Sequence, residues 1–403
     1  MECERCKAPI VPPAAYCPSC GYPVPTWVTA DAQPTQPDAT QPLHDVQANG
    51  GRGDGSTIPP SLPSSAADEE RVAALLQGIA AQSHFEERYQ MRGILDSGGM
   101  GEIYRAYDLI LRREVAVKMM REGLSRGHAS SAVRAQFLKE ARVGGRLLHP
   151  NVLAVFDLGV NRQSQVYYTM RLVHGASLHE CLRSLARGVA TRLIQLPLRK
   201  LVETFAGACR GVAYAHEHGI LHLDLKPQNV LVSGFEEVFV IDWGLARVDN
   251  EDDSELLADL YRQRPLPEST ASHTRAMGGH VVGTPAYMAP EQAAGDASAF
   301  THATDVFGLG GILYYMLYGE APNRGDTPWE MMAAAARPKQ PGRLRDGILP
   351  QGRRVPRALE RCVAGLQEIC LKSLRPLPAD RYADVNQLLI DVNEWLAESA
   401  EVV

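Results

Sequence analysis

The chain predicts an α+β fold in two lobes, a five-stranded lobe followed by a helical one. A small metal-held ribbon and a linker without a core precede them. Three observations carry this reading. Strand-like apolar runs fill residues 89–172 and helical periodicity takes over from Leu178, and strands followed by helices along a chain indicate α+β. Between a long helical run and a hairpin lies His222-Leu223-Asp224-Leu225-Lys226-Pro227-Gln228-Asn229, with Asp242-Trp243-Gly244 thirteen residues after Asn229. Two Cys-x2-Cys pairs, Cys3/Cys6 and Cys17/Cys20, open the chain.

Composition narrows the classes of function. The 403 residues leave room for two or three folded units, and a net charge of −6 offers no basic footprint for nucleic acid. No apolar run resembling a signal peptide starts the sequence. The longest apolar stretch, Asp305 to Gly319, is too short for a membrane span. Its leading Asp305 and internal Gly308, Gly310 and Gly311 predict a buried core helix. A cytoplasmic protein is expected. Of the eight cysteines, Cys181, Cys209, Cys362 and Cys370 are scattered in helical sequence and are expected to pack as small hydrophobes.

Residues 1–22 hold the other four. Thiolate pairs at this spacing can close a tetrahedral Zn²⁺ site, and the metal would supply the stability that so small a segment lacks. A disulfide pair or a redox pair is the alternative; a cytosolic chain favours zinc. With only Arg5 and Lys7 as basic residues, this zinc ribbon is expected to dock protein. Residues 23–65 are rich in Pro, Gln, Gly and Ser, bury too little apolar surface to fold, and read as a flexible linker. Residues 66–84 carry Val72, Leu75, Leu76 and Ile79 at helical spacing, a helix preceding the main domain at 85–403.

Tyr89 to Met120 reads as three strands with a glycine-rich turn, Leu95-Asp96-Ser97-Gly98-Gly99-Met100-Gly101-Glu102-Ile103, whose small residues let backbone N–H groups approach phosphates. Val115-Ala116-Val117-Lys118 follows. Ala129 to Leu148 has helical period and bears Glu140. Val152 to Val160 and Val166 to Leu172 complete the five strands. Leu201 to Gly219 forms an amphipathic helix with a glycine C-cap, leading into the loop at His222. The spacing there is a phosphoryl-transfer layout: Asp224 can accept a hydroxyl proton, Lys226 can neutralise the moving phosphoryl group, and Asn229 and Asp242 are hard oxygen ligands for Mg²⁺. The strands Val230 to Val232 and Val238 to Ile241 lie between them. Arg357 to Cys370 and Val385 to Ala397 finish the helical lobe, after which no sensor domain is expected.

In this order the motifs resemble those of protein kinases, specifically bacterial Ser/Thr kinases of the eukaryotic-like (Hanks) type, from Tyr89 to the C-terminus. The resemblance implies a bilobal protein kinase fold. It implies that Lys118 reaches the α and β phosphates and pairs with Glu140, and that Leu95, Ile103 and Ala116 sandwich adenine under the glycine-rich turn. Met170 falls at the gatekeeper position and Arg171-Leu172-Val173 at the hinge. Lys226 is the Ser/Thr-type residue. Thr284 is expected to contact Asp224 and Lys226, Glu291 to pair with Arg381, and Asp305 to brace the catalytic loop. The chain departs from the family at Asp96 and Arg171 (for glycine and an acid), Leu223 (for arginine) and Trp243 (for phenylalanine). Leu223 leaves no buried charge awaiting a phosphate, although Ser269, Thr270, Ser272 and Thr274 are candidate autophosphorylation sites. The implied activity is transfer from MgATP to protein Ser/Thr hydroxyls; the alternative is a pseudokinase or scaffold that uses the fold and the ribbon to bind partners.

Overall fold

The chain divides into two units, Met1–Ser64 and Ser65–Val403. The structure, a computed structural model, describes residues 84–98, 100–121, 128–186, 198–234, 236–248, 283–344 and 357–399, with side chains of α2 described from 136 and of α8 from 360. The ribbon cysteines Cys3, Cys6, Cys17 and Cys20, the linker, the helix expected at 66–82, Gly99 and the candidate phosphosites lie outside these residues.

A five-stranded antiparallel sheet, ordered β1-β2-β3-β5-β4, makes the first lobe. Its strands are β1 (Tyr89–Ser97), β2 (Gly101–Asp108), β3 (Arg113–Met120), β4 (Val155–Val160) and β5 (Val166–Arg171). Alternation along β3 serves both faces, since successive side chains point to opposite sides. Val115 and Val117 pack with Ala106, Tyr89, Tyr167 and Phe85 of the short helix α1 (Phe85–Arg88). Ala116 and Met120 pack on the other side with Tyr168, Met170, and Phe137 and Ala141 of α2 (His128–Arg146). The lobe thus has two thin cores with a sheet between them, and the inner one faces Lys118 and Glu140.

The strand expected from Val152 begins instead at Val155. Val152 pairs with Val240 of the second lobe, and the Leu153 N–H donates to the Val240 carbonyl. Here the backbone is engaged across the lobes, so an apolar run read as one strand is divided between two sheets.

The second lobe surrounds two long helices, α4 (Leu198–Glu217) and α6 (His302–Tyr318), reached through β6 (Gly175–Ser177) and α3 (Leu178–Ala186). Gly219 follows α4 in the left-handed conformation, φ +67°, as expected of its C-cap. Nearly every side chain of α6 is buried. Its glycines allow close packing: a Cβ on Gly308 would come within 2.8 Å of Leu225 Cβ in the loop at His222, and one on Gly310 within 2.6 Å of Ser373 Cβ. Ser373 ends α8 (Arg357–Ser373), which packs with α9 (Val385–Glu398). Between α4 and α6 run β7 (Ile220–Leu221), β8 (Val230–Ser233), β9 (Val238–Val240), β10 (Arg247–Val248) and the short α5 (Pro290–Ala293); α7 (Pro328–Ala335) follows α6. Cys181, Cys209 and Cys370 are buried in the large core and Cys362 is half-buried; burial pushes the Cys181 thiol up to about 11. No helix among the described residues is long and apolar enough to cross a membrane.

Candidate active site

The loop between β7 and β8 is held from beneath by α6. Asp305, fully buried, accepts the His222 N–H at 2.7 Å and the Leu223 N–H at 2.8 Å, and its Oδ2 meets His216 Nε2 at 2.8 Å. Burial pushes its carboxyl up, but the contacts with His216 and His222 outweigh this and leave it below the ordinary value of 3.8. The amides bound there belong to a strained turn. Leu223 has φ +63°, a left-handed conformation that costs a non-glycine residue, and its carbonyl is also held, by Gln292 Nε2 at 2.8 Å. The His222 ring closes the other side: Nδ1 accepts the Asp224 N–H at 3.2 Å, so Nε2 carries the proton donated to the Ile241 carbonyl at 3.0 Å.

That scaffold presents the polar residues singled out in the sequence. Lys226 Nζ donates to Asp224 Oδ2 at 2.6 Å and to Thr284 Oγ1 at 2.9 Å; Thr284 in turn donates to Asp224 Oδ1 at 2.7 Å. Asn229 Nδ2 donates to the Asp224 carbonyl at 2.8 Å, which leaves the amide oxygen as the group available to a cation. Thr284 is positioned by Asn323, whose Nδ2 binds the carbonyls of Pro285 and Met288, both at 2.9 Å. A carboxylate has about four lone-pair sites, so Asp224 can still accept a hydroxyl from a substrate. Arg381 binds Glu291 through both guanidinium nitrogens at 2.8 and 2.9 Å and fixes the far end of this segment.

On the first lobe, Lys118 Nζ lies 2.7 and 2.6 Å from the Glu140 oxygens, and Tyr168 donates its hydroxyl to Glu140 at 2.7 Å. Burial pushes the Glu140 carboxyl above the ordinary range; Lys118 pulls it down and Asp242 pushes it up again. Asp242 stands at φ +66° just before Trp243. The glycine-rich turn is closed by the Gly98 N–H donating to the Gly101 carbonyl at 2.9 Å, and a Cβ on Gly101 would collide with the Met119 carbonyl. Asp96 caps the turn, its Oδ1 accepting the Ser97 N–H at 2.8 Å, and Arg121 donates to Ser97 Oγ at 2.6 Å. Ala116, Met170 and Ile103 share one apolar cluster, while Leu95 stands half exposed at the end of β1; Met100 and Glu102 flank the turn. The domain thus carries cation, carboxylate and amide groups of the kinds that hold a triphosphate and a hydroxyl.

The model of the protein kinase domain matches residues 89–382. The chain belongs to the protein kinase family. Among curated proteins it is similar to the serine/threonine-protein kinase PknD of Protochlamydia amoebophila, at 34% identity over 80% of this chain and 31% of that protein. It is also similar to the proteins of that name from Chlamydia felis, at 34% identity over 78% and 32%, and Chlamydia pneumoniae, at 32% over 78% and 31%. The chain spans about a third of the length of these relatives.

Set within the kinase domain, the departures acquire partners. Leu223 packs with Leu221 and Phe300, an apolar trio where the family's arginine would need a counter-charge. Trp243 is buried against the His222 ring, centroids 4.6 Å apart. Arg171 turns away from the cleft, with both oxygens of Glu237 at 2.8 Å. Sequence reasoning missed the Tyr168 hydroxyl, although its spacing from Met170 on β5 marks the same face. It also missed Gln292 and the bridging His222 ring, for which no local signal exists.

Proposed function

We propose that this chain is a serine/threonine protein kinase that transfers the γ-phosphoryl group of MgATP to protein hydroxyls. The observation that carries the reading is the Asp224 carboxylate, fixed between Thr284 and Lys226. In the proposed reaction the substrate hydroxyl oxygen forms a bond to the γ-phosphorus as the bond to the β–γ bridging oxygen breaks. Asp224 takes the hydroxyl proton, Lys226 neutralises the phosphoryl oxygens, and Lys118, oriented by Glu140, holds the α and β phosphates; ADP and a phosphoprotein leave. Asn229 and Asp242 offer hard oxygens that fit Mg²⁺, which when bound neutralises phosphate charge. Label transfer from γ-labelled ATP to a protein acceptor, lost in Asp224→Asn, tests the proposal; equal labelling by the variant would overturn it.

For residues 1–22 we propose a structural zinc ribbon on Cys3, Cys6, Cys17 and Cys20 that docks protein partners, joined by the linker at 23–65 and the helix at 66–84 to a domain acting in the cytoplasm. The spacing of the thiols supports it. One zinc per chain, lost when Cys17 and Cys20 become Ser, is the expected metal analysis; protein purified without chelator that holds none would sink it. Deletion of residues 1–65 should leave basal transfer intact.

A further inference from the structure

Arg171 closes β5 at the entrance to the hinge, and its backbone remains in the first lobe: its N–H donates to the Ala154 carbonyl at 3.0 Å and it stands opposite Val115. Its side chain does not. One terminal nitrogen donates to both Glu237 oxygens at 2.8 Å, and the guanidinium carbon lies 4.8 Å from the ring centroid of Phe239, a buried residue of β9. Glu237 is itself oriented. Its carboxylate accepts from Ser233 Oγ at 3.3 Å, and its N–H donates to that oxygen at 3.1 Å. The Ser233 N–H meets the Glu237 carbonyl at 2.9 Å. Ser233 and Glu237 bound the turn of the β8–β9 hairpin.

The open end of that hairpin carries the proposed cation ligands. Asn229 directly precedes β8 and Asp242 follows β9 by two residues, with the Ile241 N–H donating to the Asn229 carbonyl at 3.0 Å. Strands of four and three residues are too short to bend much between turn and open end. A second link reaches the hairpin from the first lobe side, since Asn151 donates its Nδ2 to the Val238 carbonyl at 3.0 Å and accepts the Val240 N–H at 2.8 Å.

We propose that Arg171 is a positioning residue: through Glu237 it braces the hairpin bearing Asn229 and Asp242 against the hinge, and so sets the affinity for the magnesium–nucleotide complex. Exposed ion pairs generally contribute little, because two mobile side chains must be ordered in a screening solvent. This pair differs in that the cation lies over a buried ring and the carboxylate is pre-oriented by Ser233. The inference rests on the nucleotide site proposed above.

The experiment measures KM for ATP, kcat, and half-saturation by Mg²⁺ in full-length Arg171→Ala, Glu237→Ala and the exchanged pair Arg171→Glu with Glu237→Arg, together with binding of fluorescent ADP with and without Mg²⁺. Each single variant should raise KM and the Mg²⁺ requirement about fivefold, the scale of one well-oriented charged pair, with a smaller change in kcat. The exchanged pair should recover most of the loss, and ADP binding without Mg²⁺ should hardly move. A purely structural contact would lower the melting temperature and leave these constants alone. Folded Arg171→Ala protein with unchanged KM and Mg²⁺ dependence, or an exchange that rescues nothing, would overturn the brace while the nucleotide site stands. Wild-type protein that binds no nucleotide would overturn both.

Discussion

The loop at Asp224 and the glycine-rich turn are held in opposite ways. Around Asp224 the restraints are mostly buried: Asp305 on two amides, Gln292 on the Leu223 carbonyl, and the His222 ring between the loop and Ile241. Around Gly98 they are exposed: Arg121 on Ser97, and Asp96 on the next amide. Buried hydrogen bonds have no water to replace them, so the loop has one arrangement. Exposed ones compete with solvent and hold their partners less tightly. This contrast fits the proposed reaction, in which a proton acceptor needs fixed geometry and a nucleotide-binding turn must admit its ligand.

The sharpest break in this contrast is chemical. Asp224→Asn and Lys118→Met should each lower phosphoryl transfer about a thousandfold or more, the range of a lost general base or phosphate anchor, without unfolding the chain. Single-turnover rates and thermal melts check both halves, and retained turnover in protein free of other kinases would count against the assignment.

The next effect falls on stability. Asp305→Asn puts an amide where two backbone N–H groups and His216 find an acceptor, and should remove about 3 kcal/mol. Because the Asp305 carboxyl is depressed below 3.8 in the folded chain, its contribution is present above that pH and is lost as pH falls through the lower folded value. The melting temperatures of wild type and variant should therefore converge below about pH 4. A gap that stays constant into acid would show that the charge plays no part.

Gly308→Ala tests the loop by steric pressure. With Leu225 Cβ only 2.8 Å from the added methyl, the loop must shift, and kcat should drop about tenfold with KM for ATP unmoved. An equal change in both constants would mean that the turn feels the loop's displacement. On the exposed side, Arg121→Ala should raise KM for ATP only about two- to threefold, as a surface contact of this kind contributes little. The smallest change is expected from phosphorylation. With Leu223 packed on Leu221 and Phe300, that position offers no cation to a phosphate, so phosphatase-treated and autophosphorylated enzyme should agree within about threefold. A hundredfold activation would reveal another basic residue in the arginine's place.

Much of the architecture was legible in the chain alone. The strand-like apolar run around Val115, the helical period around Glu140 and the glycine after α4 report backbone preferences that act over a few residues, and the elements form there. The order of Lys118, Glu140, Asp224, Asn229 and Asp242 likewise suggests the proposed chemistry, because each side chain's capacity to bind phosphate, proton or cation is intrinsic to it. Partners set by packing were not legible. The run from Val152 reads as one strand, yet its first residues pair across the lobes. Arg171 reads as an unexplained exchange in the hinge, yet its role depends on Glu237, sixty-six positions away. Leu223 reads as a lost arginine, yet it sits in a left-handed turn made tolerable by Asp305, Gln292 and Phe300, all far along the chain. Periodicity records which face of an element is apolar and is silent on which distant group that face will meet; only the closed core decides that, by choosing which donors and acceptors come within reach of one another.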